Sequence, residues 1–483
     1  MPLGFSHHES LFIDGKWSSP STDRQITVSS ANTTLPIGSV PEAAKADVDR
    51  AVAAARTAFD SPQGWAQWEP TQRADALERL AGALEKRREE TARLVSAQNG
   101  FPISVAEMFC GTVPAALLRY YAELARDQQG DEFRPGILPR PTVIHRSPLG
   151  VVAAITPWNY PQTLAFFKLA PALAAGCTVV LKPSPETVLD SCILAEAIEE
   201  AELPGGVINI VPSGREVSSY LVTHPDVDKV SFTGSTAAGR QIASACGELL
   251  RPVTLELGGK SAAIILDDAE LGDLAESLFV ASLLNNGQTC FANTRILAPT
   301  NRYEELVDLY TTLAREARVG DSLDPSTQIG PLVSSAQRDR VESYIAQGKR
   351  SAARLTTGGG RPTTGLDGWF VEPTVFADVS PSDVIAQEEI FGPVLSIISY
   401  TDVEHAVRIA NDSVYGLAGS VWSSDEQRAL DVAKQVRTGT VGINGYVIDV
   451  AAPFGGRRDS GLGRELGPEA LTDFMNVKSI YRP

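Results

Sequence analysis

The sequence predicts an α/β fold with mainly parallel sheets, on three observations. From Gly150 onward, short apolar strands alternate with helices. A second block of the same alternation follows Ser261. Between a strand and a helix lies the turn Phe232-Thr233-Gly234-Ser235-Thr236-Ala237-Ala238-Gly239. Parallel strands need crossover connections, and helices supply them. The chain of 483 residues is too long for one ordinary core; at about 150 residues per domain it divides into roughly three.

The segment from Ala43 to Ala97 reads as two helices, because small apolar and charged residues recur there at helical spacing. Asp47-Val48-Asp49-Arg50-Ala51-Val52 opens the first, and the second holds Arg73-Ala74-Asp75-Ala76-Leu77. Phe133 to Val143 is proline-rich and extended, the composition of a crossing arm. The first alternating block has strands at Val151–Ile155, Thr178–Lys182, Val207–Val211 and Lys229–Phe232. Its helices are expected at Leu169–Ala175, Ile193–Glu202 and Ala237–Leu250. Strands of the second block include Ala262–Leu266 and Val394–Tyr400, and Gly358-Gly359-Gly360 reads as a loop.

Composition narrows the function. A formal net charge of −17 repels phosphate backbones and anionic lipid, which argues against nucleic-acid and membrane partners. Met1 to Asp14 has no apolar core of a signal peptide, and the apolar run from Leu149 to Ile155 stops at Pro157, far short of a membrane span. The five cysteines show no paired spacing, which points to free thiols in a reducing compartment, the cytoplasm. The five histidines do not cluster with cysteines or carboxylates, so no metal site is expected.

Cys290 ends the run Asn285-Asn286-Gly287-Gln288-Thr289-Cys290, a polar setting unlike a core strand. Cys110, Cys177, Cys192 and Cys246 read as buried core thiols. A free thiol has a pKa of about 8.5, so attack on a carbonyl needs a local base, a helix N-terminus or a cation. The oxyanion made by such an attack needs preorganised donors. Asn159, in Pro157-Trp158-Asn159-Tyr160-Pro161, offers a side-chain amide, and the Cys290 N–H a second donor. Glu256 lies in Leu255-Glu256-Leu257-Gly258-Gly259-Lys260, where apolar neighbours should raise its pKa and suit it to act as a base. The glycine-rich turn at Gly234 opens a helix, a natural seat for phosphate.

These runs, with Glu389-Ile390-Phe391-Gly392-Pro393 and Pro453-Phe454-Gly455-Gly456 through Glu465, resemble the aldehyde dehydrogenase superfamily from about Leu11 to Tyr481. The resemblance implies a Rossmann-like NAD(P)-binding domain at 1–125 and 147–257, an α/β catalytic domain at 258–465, and a small β oligomerisation element at 126–146 and 466–483. It implies oxidation of an aldehyde to a carboxylic acid by a homodimer or homotetramer, with Cys290 as nucleophile, Asn159 in the oxyanion hole and Glu256 as hydrolytic base. Lys168 and Glu465 stand where relatives have a proposed proton relay. Ser235 would bond the pyrophosphate, Lys182 the adenosine ribose, and Glu389 the nicotinamide ribose with Phe391 beside it. Ile155, Trp158, Ser184, Gly214, Gly234, Gly239 and Leu257 complete the implied cofactor site. Tyr160, Leu164, Phe167 and Phe454 resemble substrate-pocket positions, and their apolar character favours a medium-sized aliphatic or aromatic aldehyde.

One departure bears on the cofactor. Many relatives carry a glutamate three residues after the ribose-binding lysine, where this chain has Pro185, with Glu186 following. The expected cofactor is NAD, with NADP possible. Two alternatives remain open at this stage: transfer of the acyl group to coenzyme A, which Glu256 disfavours, and a non-catalytic binding protein, which the joint presence of Cys290, Glu256 and Asn159 disfavours.

Overall fold

The computed structural model describes residues 9–128, 130–363, 365 and 367–482. Met1 to His8, the larger part of the N-terminal stretch read above, lie outside them. Four sheets organise the chain. The largest has eight strands, in the order Gly461–Leu462, Val253–Glu256, Lys229–Thr233, Val151–Ile155, Thr178–Lys182, Ile208–Ile210, Leu11–Ile13, Lys16–Ser18. Its five inner strands are parallel, Gly461–Leu462 and Leu11–Ile13 run antiparallel to them, and Lys16–Ser18 pairs antiparallel with Leu11–Ile13 at the edge. Val151–Ile155 and Thr178–Lys182 are buried along their whole length, as continuous apolar runs between helix layers should be.

The second sheet has seven strands, centred on Val394–Tyr400, Arg295–Pro299 and Ala262–Ile265, all parallel. A three-stranded antiparallel sheet joins Glu132–Arg134, Thr142–Pro148 and Met475–Ile480, tying the proline-rich arm to the C-terminal tail.

Two sequence expectations are corrected. The region from Ala43 to Ala97 forms three helices, Lys45–Asp60, Pro70–Lys86 and Arg88–Asn99. The second breaks at Arg87, whose φ of −104° and ψ of 5° leave the helical well while its side chain bonds the Ala83 carbonyl and pairs with Glu200. Helices also reach further than their apolar runs suggest: the expected Leu169–Ala175 begins at Pro161, a residue suited to the first helical turn.

Candidate active site

The site follows from topology. Val151–Ile155 has Thr178–Lys182 on one side and Lys229–Thr233 on the other, so the chain progresses in opposite directions from this strand. In open parallel sheets ligands settle at such a switch point, beyond the carboxyl ends of the strands. A cleft of about 250 Å³ opens there, lined by Trp158 and Asn159 after one strand and Thr233, Gly234 and Ser235 after the other. Leu257, Gly258, Cys290, Glu389 and Phe391 form the facing wall, with Gln337 and Arg340 at its side.

Close approach of three chain segments assembles that wall. A Cβ on Gly259 would stand 2.5 Å from the Cys290 carbonyl oxygen, and one on Gly258 would stand 2.5 Å from Glu389 Oε2. Only glycine at both positions lets the Glu256, Cys290 and Glu389 segments meet. The Gly259 N–H donates to Glu389 Oε1 at 2.9 Å. Upstream of Cys290, Asn285 and Asn286 take left-handed φ values of 51° and 59°, which asparagine tolerates. Their side chains anchor the loop: Asn285 Nδ2 donates to the Asn159 carbonyl, and Asn286 Nδ2 to the carbonyls of Gly100 and Pro331, each at 2.9 Å. Asn159 Nδ2 donates to the Gln288 carbonyl at 3.1 Å, which places its amide against the cysteine loop.

Phe391 also has a left-handed φ, 64°, and packs edge-on to Trp158 with ring centroids 5.2 Å apart. Gln337 Nε2 holds the Phe391 carbonyl at 2.7 Å, and Arg340 donates to the Glu389 carbonyl. Sequence reading missed both residues, since their helix, Ser335–Arg350, carries no motif.

Charges in the site are suppressed by burial. Cys290 is partly open to the cleft yet densely surrounded by protein; burial raises its thiol pKa, and Glu389 and Glu256 raise it further. Glu256 is 2% exposed and neither carboxylate oxygen has a hydrogen-bond partner among the described residues. Burial, then the charge of Glu465, holds its pKa well above the usual range, against the pull of Lys168 and Arg464. Burial of this kind suits a carboxylate to acid–base work, and among the described residues no salt bridge holds Glu256. Lys168 and Glu465 are a buried ion pair at 2.6 Å, and the same ammonium donates to Thr233 Oγ1 at 2.6 Å. Burial pushes Glu389 up to about 7.

Beyond Cys290 lies an aromatic wall. Phe454 meets Phe167 at 6.3 Å and Phe291 at 6.4 Å, and Phe291 stacks on Tyr446 at 4.8 Å. Leu164, Phe167 and Phe454 join this apolar cluster. Tyr160 packs against Phe101 and Phe109, and its hydroxyl shares a 2.7 Å hydrogen bond with Thr289. Of the residues that sequence reading missed, Phe291 was findable because it follows Cys290; Tyr446, Phe101 and Phe109 come from segments with no motif.

Apart from Ser235, which lines the cleft, the remaining expected site residues stand off it. Ile155 ends its strand opposite Lys182 in the register. Lys182 is buried at the end of its own strand, and burial brings its ammonium down to about 8 against the opposing pull of Glu186. Ser184 Oγ donates to Glu186 Oε2 at 2.5 Å. Gly214 caps the helix Arg215–Thr223, and its N–H reaches Glu42 Oε1 at 3.3 Å. Ser235 caps the helix Thr236–Glu248 with its side chain accepting the Ala238 N–H, and Gly239 packs against Leu257. Cys110, Cys177, Cys192 and Cys246 are buried free thiols. Among the described residues there is no metal-binding cluster of acids, histidines and cysteines, and no helix long and apolar enough to cross a membrane.

A model of the aldehyde dehydrogenase family matches residues 17–480. The chain is 54% identical to geranial dehydrogenase of Castellaniella defragrans over 98% of both chains. Among solved structures it is similar to an aldehyde dehydrogenase of Mycobacterium tuberculosis complexed with NAD+, at 47% identity and a TM-score of 0.96, covering 99% of this chain and 98% of that one. An aldehyde dehydrogenase mutant of Pseudomonas syringae, complexed with NAD+ and octanal, matches at 39% identity and a TM-score of 0.94, over 98% and 96% of the two chains.

Proposed function

The chain belongs to the aldehyde dehydrogenase family, and on that premise we propose that it oxidises a neutral, apolar aldehyde of medium size to the carboxylic acid through a thioester on Cys290, with NAD+ as electron acceptor. It is an oxidoreductase of the aldehyde dehydrogenase type. The observation that carries the finer reading is the meeting of Cys290, Glu256 and Glu389 across Gly258 and Gly259, beside an aromatic wall.

In this reading Cys290 Sγ attacks the aldehyde carbon, and the Asn159 amide and the Cys290 N–H receive the oxyanion. The thiol stands among carboxylates in this structure, so its ionisation needs positive charge brought into the cleft, which a bound oxidised cofactor would supply. NAD+, when bound, would supply the acceptor for the hydrogen of the aldehyde carbon, which leaves as hydride with its two electrons as the adduct becomes a thioester. The cradle fits such a ligand: Glu389 keeps Oε2 facing the cleft side of Gly258 while Oε1 is fixed by Gly259. Water then attacks the thioester, Glu256 takes its proton, and the Glu465–Lys168 pair stands behind it to pass the proton on. The arm sheet, with Phe133, Val477 and Ile480 exposed, is the proposed contact with a second copy. Free thiols among the described residues suit a reducing, cytoplasmic setting.

The aromatic wall supports the substrate class, and so do a relative named geranial dehydrogenase and a solved aldehyde dehydrogenase mutant complexed with octanal. Neutral aldehydes of this kind should exceed cationic aminoaldehydes in kcat/KM by at least about 10²-fold, because the wall residues named here are apolar or aromatic and offer a desolvated ammonium no counter-charge. Steady-state assays on a matched series test this; equal or better use of the cationic aldehydes overturns it.

Glu186 restores, one position late, the carboxylate displaced by Pro185. Its bond to Ser184 occupies the hydroxyl that a 2′-phosphate would use. NAD+ should therefore be preferred, with NADP+ still used within a factor of about 10³, and Glu186→Gln should raise kcat/KM for NADP+ by about tenfold through lost repulsion. Preference for NADP+ in the wild type, or no gain in the variant, rejects this account of the ribose loop.

A further inference from the structure

Behind the Asn159 turn lies a polar cluster that the reaction does not use. Asn99 Nδ2 donates to the carbonyls of Trp158 and Asn159. Its neighbour Gln98 accepts the Leu189 N–H at 3.2 Å and donates Nε2 to the Thr187 carbonyl at 3.1 Å and to Asp190 Oδ1 at 2.8 Å. From the other side Gln162, in the first turn after Asn159, donates Nε2 to Asp190 Oδ2 at 2.8 Å and to the Asp190 carbonyl at 2.9 Å. Asp190 opens the helix Asp190–Glu200 and is 4% exposed.

We propose that Asp190, acting through Gln98 and Gln162, is a positioning residue that sets where the Asn159 amide stands. The stereochemistry is specific. Each carboxylate oxygen faces one amide N–H, so the network is built for the ionised form. A proton on Oδ2 would point at the Gln162 N–H. Gln162 Oε1, which has no hydrogen-bond partner among the described residues, could accept that proton only if the amide turned over. Turning it breaks the bond to the Asp190 carbonyl and frees the helix turn that carries Asn159. The cluster thus has two hydrogen-bonded states, and they differ in their hold on the oxyanion donor.

The titratable groups facing Asp190 are Cys110, from the segment Glu107–Thr112, and Cys192 on its own helix; Gln98, Gln162 and Thr187 carry no charge. Burial, and then Asp190 itself, holds both thiols protonated, with Cys192 at about 12. Burial raises Asp190 to about 7, so the ionised state forms as pH rises through neutrality.

The inference rests on reading Asn159 as the oxyanion donor, and the test separates the two. The quantities to measure are kcat/KM for one good aldehyde at saturating NAD+ from about pH 5.5 to 9, and NAD+ affinity by fluorescence, for Asp190→Asn, Asp190→Ala, Asn159→Ala and the double variant Asn159→Ala/Asp190→Ala. At high pH the wild type should exceed Asp190→Asn, which mimics the protonated form, and the ratio of the two rates should fall to one as pH drops through about 7. Asp190→Ala should lose up to about 10²-fold, the scale of a misplaced catalytic group, with NAD+ affinity within about threefold, and that loss should vanish in the Asn159→Ala background. A ratio of wild-type to Asp190→Asn rates that stays flat across pH overturns the proposal, as does an additive loss in the double variant. Wild-type rates in Asn159→Ala would remove the donor reading itself and the proposal with it. Should Asp190→Ala fail to fold, the near-isosteric Asp190→Asn still decides through its pH profile.

Discussion

Cys290→Ala is expected to remove aldehyde oxidation altogether, a loss of at least about 10⁴-fold in kcat, while NAD+ binds with nearly unchanged affinity. Losing a nucleophile that works as a unit with its partners costs on this scale in other acyl-transfer enzymes. The cleft explains why binding should survive. Cys290 is one wall residue among several, whereas Glu389, Phe391, Trp158 and Ser235 line the rest of the same cleft. The Cys290 loop is held by the side-chain amides of Asn285 and Asn286 and by close backbone packing at Gly259, so removal of Sγ leaves it standing. Cofactor affinity from fluorescence quenching and NADH production with a good aldehyde give both halves of the result. Activity within tenfold of wild type would reject Cys290 as nucleophile. A loss of cofactor affinity to match would show that the substitution had collapsed the cleft.

The features legible in the sequence are those whose chemistry is local. A thiol in a polar run, a carboxylate in an apolar one and a glycine-rich turn before a helix each state a physical tension within a few residues, and the structure brings Cys290, Glu256, Glu389 and Ser235 to one region. Four of the five inner parallel strands of the first sheet were equally plain, because both faces are buried and the apolar runs are unbroken, whereas Val253–Glu256 was not read as a strand. Contributions from remote segments were not legible. Phe167 and Phe454 entered the reading only through the resemblance, and Phe109, Phe291 and Tyr446 of the same aromatic surroundings did not, because an aromatic residue in any one segment looks like core. Gln337 and Arg340 act by holding backbone carbonyls of the Glu389 loop, which leaves no pattern in their own helix. The break at Arg87 has no proline or glycine to announce it. Gly461–Leu462, only two residues long, pairs antiparallel with the strand of Glu256 and adds an edge to the first sheet from a segment that the resemblance implied for the catalytic domain.

Glu256→Gln is expected to separate the two half-reactions: a burst of NADH equal to about one per active site should survive, while steady turnover falls by about 10²–10⁴-fold, the usual contribution of a general base. Glutamine keeps the shape of the side chain and removes its basicity. The structure gives that basicity a physical origin. Glu256 sits at the end of its strand, buried, with both oxygens unbonded among the described residues, so desolvation and the nearby Glu465 carboxylate raise its pKa. A carboxylate acts as base only after losing its proton, and the raised value means that the active form accumulates as pH rises. Turnover of the wild type should accordingly climb with pH through that raised value, and the climb should disappear in the variant. Rapid-mixing absorbance separates burst from steady rate, and repeating it across pH gives the slope. Unchanged turnover would assign the water to another base. Equal loss of burst and turnover would move Glu256 to the first half-reaction, where its charge bears on the Cys290 thiol, and the Glu465–Lys168 pair would then serve thiol ionisation rather than hydrolysis.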